Sequence, residues 1–281
     1  MSGRVAYEPG TGYLSTPIQL DGPDLWVGTG ANLRGREWTD TLGYRSVTGI
    51  SRPAVEATCT LTATSMTALD TARRAFDADM RANTPGTLVI DGAWSQRALV
   101  RKSQVQKVTP WTVTAELTLQ LLDGAWRHEL EALRYTIAPE TEHGLNYPHN
   151  YPHNYGAPPG AKSITNPMTM PVPWRMTIWG PVSNPYVRIG SNLHQVDVTV
   201  PSGSRLEINS LEGERTVELI DDTGHVTNVI DKAHRGTGED GGEYVFQPIP
   251  PGLSDVVWSQ RFGFDITMIE EEMEPPWQTS S

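Results

Sequence analysis

The chain has 281 residues, enough for two domains with separate cores, and a net charge of -11. The charge is uneven: residues 1–140 carry 14 Lys/Arg against 15 Asp/Glu, and residues 141–281 carry 8 against 18. That acidic second half argues against a nucleic-acid grip, which needs a basic footprint. The single cysteine, Cys59, excludes an intrachain disulfide, and no apolar run approaches the ~20 residues of a membrane span. Met1-Ser2-Gly3-Arg4 lacks the apolar core of a signal peptide, so synthesis and assembly in a cytoplasm are expected.

Taken in order, residues 1–30 are rich in Gly and Pro, with an extended piece at Pro17–Leu20. Residues 28–52 combine many glycines with Arg34, Arg36, Arg45 and Arg52, and with Trp38 and Tyr44. Such a stretch is either a surface loop or a protruding arm that packs on a neighbouring subunit. Val55, Ala57, Cys59, Leu61 and Ala63 then alternate with polar residues, the period of a half-buried strand. A buried Cys59 is expected to be inert. Thr67-Ala68-Leu69-Asp70 reads as a helix start, and Leu69, Ala72, Phe76 and Met80 recur at helical spacing. The helix should run over about 67–83 and stop before Pro85-Gly86.

A strand at Thr87–Ile90, a turn at Asp91-Gly92 and a partner from Gln96 to Arg101 form a predicted hairpin. Trp111, Val113, Ala115, Leu117, Leu119 and Leu121 alternate with polar residues in a further strand, closing on Asp123-Gly124-Ala125-Trp126-Arg127. Residues 1–138 are therefore read as a sandwich-like β-domain with one helix packed on it.

Residues 139–173 form a connector that carries a tandem, Asn146-Tyr147-Pro148-His149 and Asn150-Tyr151-Pro152-His153, closing on Asn154-Tyr155-Gly156. Three X-Pro steps push it toward extended conformations. His149 and His153 then lie roughly 12 Å apart, too far to share a metal ion. Tyr147, Tyr151 and Tyr155 are the better candidates for docking, as rings laid along a partner surface.

From Trp174 to the end, short strands alternate with turns. Trp174, Met176 and Ile178 share a face, Val217–Ile220 and Val226–Ile230 flank Asp221-Asp222-Thr223-Gly224, and Phe262, Phe264, Ile266 and Met268 share a parity. This is the pattern of an antiparallel sandwich over 174–281. The fold class expected is mainly β, two β-sandwich-like domains. Asp221-Asp222 and Glu239-Asp240-Gly241-Gly242-Glu243 offer oxygens to calcium, but ordinary hairpin turns account for both. No nucleophile elbow, phosphate loop or metal spacing selects a catalytic centre, so no enzyme activity, metal or cofactor is expected.

In the order of these features the chain resembles the distal tail proteins of bacteriophages with long non-contractile tails. The resemblance rests on the helix around Leu69–Met80 followed by Pro85-Gly86-Thr87-Leu88 and Asp91-Gly92. It rests also on Asp123-Gly124-Ala125-Trp126-Arg127, which has Gly124 where that family often has proline. The Tyr147-Pro148 and Tyr151-Pro152 tandem adds to it. So do Ile178-Trp179-Gly180-Pro181-Val182-Ser183-Asn184-Pro185 and the late Pro248-Ile249-Pro250-Pro251-Gly252 and Val257-Trp258-Ser259. The resemblance implies a first domain that forms a homohexameric ring between the major tail tube protein and the tail-tip hub, with DNA only passing through its lumen. It implies a galectin-like second domain that carries receptor-binding proteins or touches host glycans, in a virion component without membrane insertion. Candidate subunit-interface residues are Arg34, Arg36, Trp38, Tyr44 and Arg45, with the arginines meeting acidic groups of a neighbour. A carbohydrate-binding module and a tail-associated hydrolase are the competing readings. The first lacks a signal peptide and the second a catalytic motif.

Overall fold

The computed structural model describes residues 5–28, 31–35, 37–137, 162–236 and 242–276. The chain divides into two compact units, the first made of residues up to His128 together with those from Glu271 onward, the second of Glu129–Glu270. Each is mainly antiparallel β, as the alternating pattern requires.

The first unit contains β1 (Val5–Glu8), β2 (Ile18–Gln19), β3 (Leu25–Trp26), β4 (Thr39–Leu42), β5 (Val47–Ser51) and β6 (Val55–Ala63). Helix α1 (Met66–Ala82) follows, then β7 (Gly86–Ile90), β8 (Trp94–Val108), β9 (Val113–Leu121) and β10 (Trp126–Glu129), whose last residue opens the second unit. Strands β2, β1, β7 and β8 lie side by side, and β8 continues through β9 and β6 to β3. In β6 the odd positions from Ala57 to Ala63 are buried, as their alternation predicts. The Asp91-Gly92 turn closes the β7–β8 hairpin with both residues at positive φ, which Asp tolerates and Gly accepts freely.

The helix cap lies two residues before the predicted start at Thr67. Ser65, in extended conformation, accepts the Ala68 amide through its Oγ, and Asn83 closes the helix in the left-handed region. Leu69, Ala72, Ala75 and Phe76 are buried, and α1 packs on β6 and β8. The last turn differs from the expectation: Met80 is 37% exposed, whereas Asp79 is fully buried. Both positions fit the helical period, so the tertiary environment decides between them. Removing the cap with Ser65→Ala should lower the stability of this unit by about 1 kcal/mol in urea unfolding, and a loss below a few tenths would refute the capping role.

The second unit contains β11 (Leu133–Tyr135), β12 (Lys162–Asn166), β13 (Trp174–Trp179), β14 (Val182–Ser183), β15 (Tyr186–Ile189), β16 (Asn192–Gln195) and β17 (Thr199–Val200). It continues with β18 (Arg205–Asn209), β19 (Thr216–Ile220), β20 (Val226–Asn228), β21 (Gly252–Trp258) and β22 (Phe264–Glu272). One sheet runs β11-β22-β13-β18-β19-β20 and the other β12-β21-β15-β16. Met176, Ile178, Leu206, Ile208, Phe264 and Ile266 of the first sheet share one core with Ile164, Val187, Ile189, Val256 and Trp258 of the second. This is a two-sheet antiparallel sandwich.

Three boundaries differ from the sequence reading. Residues 129–137, expected in the first domain, belong to the second unit, because β11 pairs with β22. Residues 162–166, read as connector, form β12 on the edge of β21. Residues 271–276 belong to the first unit, where Glu271 accepts from Arg52 and Arg127 at 3.2 Å each. None of these long-range pairings leaves a local mark in the chain. Val245 and Phe246 are both buried in a segment without a strand.

Candidate assembly interface

Among the described residues, strands β4 and β5 pair only with each other, from Thr39↔Ser51 to Leu42↔Val47, with a register shift after Thr41. All nine of their residues are exposed. An isolated two-stranded ribbon is marginal in water, since neither face is covered. This one nonetheless carries large apolar side chains: Leu42 is 76% exposed, Tyr44 94% and Ile50 65%, with Trp38 at its base half exposed. The Arg45 guanidinium lies 5.4 Å from the Tyr44 ring centroid, a cation–π pair at the tip. Residues 39–51 of the stretch thus form an exposed hairpin.

A second hairpin leaves the core in the same unit. Strand β8 is buried on its inner face up to Val100, and then two register shifts, at Val100/Lys102 and Val105/Lys107, accompany a run in which both faces are open. Its far end and the start of β9 expose Val105, Val108 and Trp111, the last by 82%. The sequence reading stopped this strand at Arg101 and placed Trp111 on the core-facing parity. Pro110 was the available signal, because proline marks the end of a paired strand. The turn is held instead by Thr109, whose amide and hydroxyl both reach the Thr112 carbonyl.

Arg34, expected at a subunit contact, has a partner within its own chain. It is 4% exposed, and its Nη2 lies 2.6 Å from Asp91 Oδ2 within the same unit. The pairing anchors the base of the arm region to the β7–β8 turn. Trp38, Tyr44 and Arg45 remain on the exposed arm. Arg36 and the connector residues Tyr147, Tyr151 and Tyr155 lie outside the described residues, as do His149, His153, Glu239 and Asp240.

Among the described residues no cluster of three or more His, Cys, Asp or Glu could hold a metal ion. Asp221 shows why: its Oδ1 is taken by the Thr223 amide and hydroxyl and the His225 amide, the turn reading of that segment. Burial pushes the Cys59 thiol up to about 12, leaving it unreactive. Among the described residues no helix is long and apolar enough to cross a membrane.

No protein-family model and no curated relative matches the chain. Solved structures do. A chain of the phage P2 baseplate in its activated conformation with Ca matches with a TM-score of 0.62 at 11% identity, over 98% of this chain and 100% of that one. The corresponding baseplate with Sr gives 0.61 at 11% identity over the same shares. The SPP1 Dit protein, described as a paradigm of the hub adsorption apparatus in phages that infect Gram-positive bacteria, gives 0.53 at 8% identity, over 96% and 99%. With 96–98% of its length covered in these matches, this chain has the fold of phage baseplate and hub-adsorption proteins.

Proposed function

We propose that the chain is a structural, non-catalytic subunit of a phage tail tip. Six copies close head to tail into a ring that joins the tail tube protein to the hub and carries receptor-binding proteins outward. DNA passes through the ring's opening without being bound. The observation that carries this reading is the arm of β4 and β5. Its exposed Trp38, Leu42, Tyr44 and Ile50 form an apolar face that no other strand among the described residues pairs with. Exposed apolar surface of this kind marks a contact with another chain. A heterologous contact that closes makes a ring. The baseplate and hub fold supports the same reading.

The test is the native mass of the purified protein with negative-stain images of the same peak. A closed six-fold ring is the expected result, formed alone or on a tail-tube fragment. The triple variant Leu42→Ser, Tyr44→Ser, Ile50→Ser should remain a folded monomer under both conditions. A ring formed equally well by this variant would refute the role of the arm. A wild-type protein that stays monomeric with the tube fragment present would refute the ring.

A further inference from the structure

The second unit holds an open groove of about 560 Å³ between the end of β11, the end of β13 and the loop into β22. Trp179, Pro181 and Phe262 give its lining an aromatic and apolar part, and its charged groups are Arg134, Arg261 and Asp265. Trp179 is 45% exposed, on the face of its strand opposite the buried Trp174, Met176 and Ile178. Its indole Nε1 donates to Asp265 Oδ2 at 3.2 Å, and Arg134 reaches both oxygens of the same carboxylate, at 2.9 and 3.4 Å. The loop is fixed too. Trp258 Nε1 donates to the Phe262 carbonyl at 3.0 Å, and the Trp179 amide to that of Gly263 at 3.0 Å.

An exposed ring beside a fixed fan of charged hydrogen-bonding groups is an amphipathic arrangement. The C–H face of a pyranose can lie on the indole, while its hydroxyls take up the carboxylate lone pairs and guanidinium N–H groups left over. The groove is large enough for one or two sugar rings. Its charge is also distinctive. Residues 129–270 carry 9 Lys/Arg against 18 Asp/Glu, yet the groove has two arginines and one aspartate. A locally positive site in an acidic unit selects an anionic group.

We propose that this groove binds an acidic saccharide, with Trp179 stacking on the sugar ring, the Arg134–Asp265 pair holding its hydroxyls and Arg261 meeting its carboxylate or phosphate. Ring formation plays no part in the argument, so the site stands or falls separately from the assembly role.

The experiment is an array of neutral, uronate-bearing and phosphate-bearing oligosaccharides probed with the full chain, followed by calorimetric titration of what is retained. Acidic saccharides should bind with dissociation constants below about 1 mM. Trp179→Ala should weaken them at least about tenfold. Trp179→Phe keeps a stacking face and should stay within about threefold, which guards against a variant that merely unfolds. Arg261→Gln should weaken the acidic ligand at least about fivefold and leave its neutral counterpart unchanged. Retention of none of these saccharides overturns the proposal, as does equal binding by a folded Trp179→Ala protein. The native mass of the same samples reports on the ring independently.

Discussion

Asp79→Asn is expected to lower the stability of the first unit by about 3 kcal/mol. The carboxylate is fully buried on the inner side of α1. It accepts the Tyr7 hydroxyl at 2.8 Å, the Gly10 amide at 3.2 Å, the Thr11 amide at 2.9 Å and the Thr11 hydroxyl at 2.7 Å. Every partner is a donor. An asparagine preserves the volume but turns one acceptor oxygen into an NH2 group that faces donors. It therefore loses at least one charge-assisted bond and leaves a buried donor unsatisfied, each worth about 1–3 kcal/mol.

The neighbourhood cannot relax easily. At Gly86 a Cβ would sit 2.5 Å from the Tyr7 ring, so this position must stay glycine for Tyr7 to reach the helix. Burial and the hydrogen bond to Asp79 push the Tyr7 hydroxyl well above its ordinary pKa, so it remains a donor at any working pH. In calorimetry the transition of the first unit should fall by roughly 10 °C while that of the second stays in place. A shift below about 2 °C would show that the network is dispensable.

The second unit should lose stability in mild acid because of His194. Its ring is buried in the sandwich, edge-on to Trp174 at 5.0 Å between centroids. Nδ1 lies 2.8 Å from the Val245 carbonyl and must donate to it, which fixes the neutral tautomer and leaves Nε2 to accept from Asn192 Nδ2 at 3.3 Å. Burial, only partly opposed by the bond to Val245, lowers its pKa to about 4. The unfolded chain takes up a proton near pH 6.5 and the folded one only near 4. Between those values the unfolded state binds more protons, so stability is fully present above 6.5 and is lost as pH falls through 4. The difference amounts to about 3 kcal/mol.

His234 acts in the opposite sense. The hydrogen bond it donates to Asp197, with Glu243 beside it, raises its pKa, so its contribution is present below pH 6.5 and fades as pH rises. It is partly exposed, and solvent screening keeps that contribution small. His194→Gln can keep a hydrogen bond to Val245 but cannot be protonated. Its unfolding midpoint should therefore be nearly flat between pH 7 and 4, where the wild type falls. Parallel slopes for the two proteins would remove His194 as the cause.

Much of the fold is legible in the chain. The alternation of Ala57, Cys59, Leu61 and Ala63, of Trp174, Met176 and Ile178, and of Phe264, Ile266 and Met268 has the period of a strand with one buried face, and the structure buries those residues. The hairpin turns at Asp91-Gly92 and Asp221–Gly224 follow from residues that accept their backbone angles. The order of these local signals was enough to suggest the tail-protein resemblance.

Long-range partners decided the rest. Asp79 and Met80 both fit the helix period, and the donors on Tyr7, Gly10 and Thr11 chose the carboxylate for burial. Arg34 looked like surface charge until Asp91, 57 residues away, supplied its partner inside the fold. The apolar residues of β4 and β5 form a surface because no third strand among the described residues pairs with them. The groove at Trp179 unites residues 134, 179, 261 and 265, whose proximity depends on the pairing of β11, β22 and β13. Sequence by itself determined the elements, because periodicity and turn chemistry act over a few residues. Burial, pairing and the candidate sites were decided by the tertiary structure, because they depend on which distant groups arrive beside each side chain.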